Sequence, residues 1–411
     1  MTRSDVPGSV PARSHPHGAP RNRGQRLLIT LAPALALPVL VGSGVAEAET
    51  TFIPYVSSTT SYDTNIYRVT DKSQVPVVQG KQVDADFIFN NAVGVDASYF
   101  LAQQRFFVKA EGSRFNYLNI PSLNQNAYNY GGGLDWTLFG RIKGTLSGTE
   151  VKTRASFADR DTTRLNTQQT TTLGATTAFL LTNDVNFNAG YNVRILQTPA
   201  RNAPTLRLDE RTSSAAINYI GINRLSAGIT GSYTTSNYRG TAENNRFKQY
   251  SGGTQVQYVA SDISNFALTL GYSKRQGASG VTGGLNYRRE LTGKTSANFA
   301  FLRAVESFDA GDNSIISTGG SAGLVWAATS RIETTLNYSY TDSVFRDATA
   351  APTDFTGRRD QAHAVNLGAA YEARDWLVLS PLVTYARRDS NVPISNYDGF
   401  VFSMQVRAQW K

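Results

Sequence analysis

The chain has 411 residues, among them 35 Gly, 20 Tyr and 20 Phe but no Cys, and a formal net charge of +9. Only 17% of residues are charged, against roughly 25% in an ordinary soluble domain. The difference is made up by Gly, Ser, Thr, Asn and aromatics, which suit polar, aromatic-studded strands better than long helices. Without Cys there are no disulfides, no thiolate metal centres and no lipidated N-terminal Cys. His15, His17 and His363 are the only histidines, so histidine-driven catalysis is almost excluded.

Residues 1–48 read as an export signal with an extended n-region. Arg21, Arg23 and Arg26 form the basic part, Leu27 to Val41 the apolar run, and Ala46-Glu47-Ala48 places small residues where a signal peptidase cuts. The apolar run is too short and too rich in Pro for a comfortable spanning helix. Cleavage after Ala48 leaves residues 49–411 as one domain. Export makes nucleic acid a poor partner for the basic excess, and anionic partners of other kinds fit it better.

Beyond the leader no window holds about 18 continuous apolar residues. What recurs is alternation with period two, the pattern of strands with one face to lipid and one to a polar lumen. In chain order, a first strand falls near Thr51–Thr60. Tyr128, Tyr130, Leu134, Trp136 and Leu138 then share a face opposite Asn129, Gly131, Gly133, Asp135 and Thr137. Val185, Phe187, Ala189, Tyr191, Val193 and Ile195 oppose Asn186, Asn188, Gly190, Asn192 and Arg194. Leu225 to Thr234 and Ile332 to Thr341 repeat the scheme. Last, Phe400, Phe402, Met404, Val406, Ala408 and Trp410 oppose Val401, Ser403, Gln405, Arg407 and Gln409. The polar faces carry Gly, Ser, Thr and Asn with isolated charges, whereas a soluble sandwich would expose more Lys and Glu.

Short turns are expected at Leu101–Gln104, Phe139–Arg141, Leu181–Asp184, Gly221–Asn223, Ala260–Asn265, Arg289–Gly293, Ala327–Ser330 and Ala373–Asp375. Longer polar segments lie between them, at Ser156–Asn166, Gln197–Asp209, Asn237–Asn245, Glu306–Asn313 and Asp342–Arg359. Short and long connections alternate in outer-membrane barrels, with short turns in the periplasm. The pattern predicts a transmembrane antiparallel up-and-down β-barrel of about 18 strands, within a range of 16–18, with both termini periplasmic.

A barrel of that size encloses water, and its function then rests on the wall. Alternation turns Asp96, Lys109, Glu111, Asp135, Lys143, Arg194, Arg275, Arg288, Glu333 and Arg407 inward. These charges either pair and brace the wall or pass a polyanion along by loose multi-site contact. Other motifs carry nothing. Gly293-Lys294-Thr295 lacks the upstream Gly of a phosphate loop, since Arg288 stands there. Asp309-Ala310-Gly311-Asp312-Asn313 lacks a closing Glu for calcium. His363 shares a face with Val365 and Leu367, a lipid-side setting with no partner for catalysis. No metal, cofactor or covalent step is expected.

Tyr62-Asp63-Thr64-Asn65-Ile66-Tyr67-Arg68 resembles the segment near the N-terminus of the EpsL-like outer-membrane barrels, the porin-type proteins encoded with exopolysaccharide gene clusters. Asp86-Phe87-Ile88, Gln103-Gln104-Arg105 and Leu134-Asp135-Trp136 follow in the same order, with Gln103 replacing the family's first Arg. The likeness covers residues 50–150 and is architectural beyond. It implies an outer-membrane location and a role in exopolysaccharide production or export, and it supplies no catalytic residues. The partners it brings are a polysaccharide, an anionic one suiting the basic balance, and periplasmic polysaccharide-export proteins. Outer-membrane lipid and the barrel-assembly machinery follow from the barrel itself. A general small-solute porin and a plugged barrel that docks partner proteins are the competing readings. The segment Asp63–Gln79 is either an outer loop or an inward constriction.

Overall fold

The computed structural model describes residues 50–410 apart from 71–72, 74, 79–80, 159–164, 200–204, 222–223, 241–245, 276, 309–313 and 347–356. The export signal and the Asp309–Asn313 motif lie outside the described residues. Eighteen antiparallel strands follow one another: β1 (Thr51–Asp63), β2 (Asp86–Leu101), β3 (Gln104–Tyr117), β4 (Gln125–Leu138), β5 (Ile142–Arg154), β6 (Thr167–Leu180), β7 (Val185–Thr198), β8 (Leu206–Ile220) and β9 (Leu225–Arg239). The series continues with β10 (Arg246–Ser261), β11 (Ser264–Arg275), β12 (Ala278–Thr292), β13 (Thr295–Ser307), β14 (Ser314–Ala327), β15 (Ile332–Arg346), β16 (Arg359–Arg374), β17 (Leu377–Ser390) and β18 (Tyr397–Gln409). Each pairs with its sequence neighbours, and β1 also pairs with β18 from Tyr55↔Gln409 to Asp63↔Val401, which closes the ring. Closure leaves no edge, the condition for strands to survive in hydrocarbon.

Opposed residues of an antiparallel ladder point the same way, and successive residues point to opposite sides. One assignment therefore propagates round the ring. Phe400, Phe402, Met404 and Val406 of β18 face out and remain 39 to 46% exposed, an arrangement that suits lipid and not water. Aromatic rings gather at both ends of this apolar band. Phe266 stacks on Tyr287 with centroids 4.3 Å apart at the short-turn end, and Tyr233 meets Tyr250 at 5.0 Å and Tyr385 meets Phe400 at 4.7 Å at the other. Such girdles mark the two membrane interfaces.

All eight expected short turns join neighbouring strands at one end of the barrel. At the opposite end the strands run further than the polarity of the chain suggests. Leu206–Asp209 and Asp342–Arg346 belong to β8 and β15, and Tyr62–Asp63 completes β1. Charged residues above the girdle keep their ladder bonds, so loop-like composition there marks the exit from lipid and not the end of a strand. One connection at this end is short as well: only residues 276–277 separate β11 from β12, with Gly277 at φ 77°, a backbone state glycine adopts freely.

Candidate functional site: a charged lumen beneath inward-folded loops

The registers place all ten sequence-selected charges on the inner face, at three heights. Nearest the short turns stand Lys143, Arg288 and Glu333, all exposed to the lumen. Arg105 and Asp135 face each other nearby at 3.5 Å, both about half exposed. Water reaches these groups, so they stand on the inner wall as partly screened fixed charges.

A tighter group crosses the seam at mid-height. Arg407 of β18 lies 3.7 Å from the centroid of the Tyr55 ring on β1 and 3.3 Å from Asp96 on β2. Asp96 is 3.9 Å from Lys109 on β3, and the Tyr55 hydroxyl donates to Glu111 at 2.8 Å. The opposed residue on β2 is Gly94, where an added Cβ would come 2.4 Å from the Tyr55 ring and 2.7 Å from the Ala110 carbonyl. Gly94 thus lets a 1%-exposed Tyr55 lie flat along the wall and reach the next strand but one. These charges brace the seam more than they offer free sites.

The third height lies under the long connections, which fold inward from two sides. On one side Ile66 and Tyr67 of the β1–β2 connection pack with Ile120 and Leu123, Phe157, and Tyr117 at the end of β3. Desolvation pushes the Tyr67 phenol above its ordinary value. Asp63 receives both terminal nitrogens of Arg68 at 2.7 and 2.9 Å, fixing the start of that connection. The Ala158 carbonyl accepts a hydrogen bond from Arg388 of β17, so the β5–β6 connection reaches across to the wall beyond the seam. Arg388 is buried and also meets Asp360 and the Tyr397 ring. The described part of the segment Asp63–Gln79, around Ile66, Tyr67 and Val75, therefore packs inward as a cover.

From the other side the β13–β14 hairpin leans in. The β12–β13 ladder stops at Gly283↔Arg303, so Ala304 to Ser307 pair only with β14. Ser307 donates to Glu210 of β8 at 2.8 Å and accepts from Arg275 of β11 at 2.6 Å. The buried Tyr238 hydroxyl of β9 donates to the Phe308 carbonyl at 3.0 Å. Leu196, Leu208, Tyr238 and Phe247 form the apolar floor of this contact. Arg194, 3.5 Å from Glu210, and Arg275, 4.8 Å over the Phe247 ring, belong to the latch as much as to the lumen.

Sequence reasoning missed Tyr55, Glu210, Asp360 and Arg388, and also Arg358, which is buried, donates to Asp360 at 2.9 Å and lies 4.5 Å over the Phe345 ring. Glu210 borders a segment read as loop, and Arg358 and Asp360 flank the end of another. Continuing the strand period two residues further would have turned Glu210 and Asp360 inward. Nothing local distinguishes Tyr55. His363 faces out beside Tyr338, whose hydroxyl lies 2.9 Å from its Nδ1.

No protein-family model matches the chain, and no curated protein matches it. Solved structures do. The ferric enterobactin receptor PfeA, from Pseudomonas aeruginosa, in complex with BCV-L6 is similar at a TM-score of 0.51 and 9% identity, covering 89% of this chain and 82% of that one. The siderophore receptor PirA from Acinetobacter baumannii gives 0.49 and 8%, covering 89% and 81%. OpdK of Pseudomonas aeruginosa with vanillate gives 0.45 and 10%, covering 87% and 99%. At such identities the likeness to PfeA speaks for the fold. The chain is an eighteen-stranded antiparallel β-barrel of the outer-membrane type, with charged side chains exposed on its inner wall.

Proposed function

We propose that the barrel is a passive conduit for an exopolysaccharide, moved through a charged lumen with no covalent step. The observation that carries this reading is the inner wall: exposed Lys143, Arg288 and Glu333 at the short-turn end, without an ion pair among the described residues, below a surface of small polar residues, give weak, dispersed contacts. A polymer slides over such a wall because no single contact holds it. The short turns face the periplasm and the long connections face outward, as in barrels of this type. The cargo class comes from the segment Tyr62–Arg68, through its resemblance to the EpsL-like barrels.

The inward cover favours a closed resting state. It also gives weight to a second reading, a plugged barrel whose outer surface docks partner proteins. A clean gene deletion tests the first: polymer should still be made but should stop reaching the cell surface. Unchanged surface polymer ends the export reading. Planar-bilayer recordings separate the two, since a conduit conducts once the cover is trimmed and a plugged scaffold does not.

A further inference from the structure

On the lipid side, just above the outer girdle of β8–β11, three cations frame one pair of rings. Arg211 of β8 lies opposite Thr235 of β9, which lies opposite Lys248 of β10. One step toward the membrane Tyr233 is opposite Tyr250, and Tyr250 is opposite Lys274 of β11. Lys248 and Lys274 are diagonal neighbours about 7–8 Å apart, and Arg211 lies two strand spacings, about 10 Å, from Lys248 and roughly 15 Å from Lys274, distances that the two phosphates and sugar backbone of one large headgroup can bridge. All three are exposed, and none has an acidic or hydrogen-bonding partner among the described residues.

Several other outward cations at this end carry their own counter-groups: Arg359 with Asp342 at 2.7 Å, Arg387 with Asp389 at 2.9 Å, Arg303 with Thr318 at 2.6 Å. Arg246, exposed two positions from Lys248 on the same face, adds to the positive patch. The nearest carboxylate on the same face, Asp209, is already held by Arg207 at 2.7 Å and Arg239 at 3.6 Å. Like charges left together without an internal anion attract an external one. The tilted Tyr233–Tyr250 pair sets its depth, because girdle tyrosines sit at headgroup level.

We propose that Arg211, Lys248 and Lys274 form a binding site for a phosphorylated glycolipid of the outer leaflet. Its phosphates meet the cations, its sugar backbone rests on the tyrosine pair, and its acyl chains lie along the apolar strip of Ile229, Leu268 and Leu270. Arginine and lysine at the interface are the groups that attract anionic headgroups. The inference rests on the outer-membrane placement and not on the cargo.

The test is native mass spectrometry of the purified full chain in detergent, with bisphosphoryl lipid A as probe and monophosphoryl lipid A, phosphatidylglycerol and phosphatidylethanolamine as competitors. The triple change Arg211→Gln, Lys248→Gln and Lys274→Gln should weaken binding by at least about tenfold, while Arg387→Gln should leave it unchanged. Equal retention by the triple variant, or equal competition by phosphatidylglycerol, overturns the site. If the triple variant fails to fold, as read from the heat-dependent gel shift, salt serves instead. Binding by the unaltered protein should fall steeply between low and moderate ionic strength, and salt-insensitive binding also overturns the site. Loop accessibility on whole cells reports membrane orientation separately.

Discussion

The Tyr55 hydroxyl donates a 2.8 Å hydrogen bond to the Glu111 carboxylate across an intervening strand. The ring crosses over Gly94, and Arg407 covers its other side. First strand, last strand and third strand are thereby joined by one side chain at the place where the barrel closes.

Tyr55→Phe keeps the ring and its contact with Arg407 but removes the donor. Glu111 retains access to lumen water, so the expected loss is small, about 1 kcal/mol. Gly94→Ala should cost more, about 2 kcal/mol, because its Cβ meets both the ring and the Ala110 carbonyl. Urea unfolding in detergent, followed by tryptophan fluorescence, checks both. Adding Tyr55→Ala to Gly94→Ala should recover only part of the loss, since the backbone clash persists.

Charge reversal should separate free wall charges from bracing ones. Arg288→Glu should lower anion preference roughly twofold, a modest change because screening acts over about 8 Å at physiological salt. Arg194→Glu puts a second carboxylate beside Glu210 and should disturb the latch before it alters selectivity. Reversal potentials under a salt gradient give the first effect, and thermal unfolding gives the second. No selectivity change in the Arg288 variant would mean that the lumen does not conduct past that height.

The hairpin latch predicts gating. Tyr238→Phe removes the bond to the Phe308 carbonyl and should raise the frequency of opening by up to about tenfold, the equivalent of 1.4 kcal/mol. Ser307→Ala removes the hairpin's bonds to Glu210 and Arg275 together and should act in the same direction. Single-channel recordings resolve this, and identical open probability in both variants would rule out the hairpin as a gate.

Trp410 is half exposed, and its amide bonds to the Pro54 carbonyl at 3.0 Å. Trp410→Asp places a charge at the girdle beside the closing ladder and should reduce outer-membrane levels several-fold. Immunoblots of membrane fractions measure it. Normal levels would remove the assembly role of the terminal strand.

The barrel was legible because lipid imposes a period of two on every strand, and the eight tight turns punctuate it. Phe402 to Trp410 show why: apolar residues fall at every second position with Ser403, Gln405, Arg407 and Gln409 between them, and no helix has that spacing. The inward charges followed from the same parity. The cover did not. Ile66, Tyr67, Ile120, Leu123 and Phe157 are isolated apolar residues in polar connections, with no period between them, and only their meeting in space makes a cluster. The strand extensions were hidden for a related reason. Above the membrane the outward face turns polar, as at Arg207 and Asp209, so alternation fades while the ladder continues.

The meeting of β1 with β18 has a kinetic consequence. Thr64 and Phe400 bond to each other although 336 positions separate them, so the hoop can be fastened only after nearly the whole polypeptide has been laid down. Until then two raw borders face outward, each able to recruit a stray neighbour. The contacts of Tyr55 at this seam therefore cover both borders at once, a safeguard against tangling as well as a source of strength.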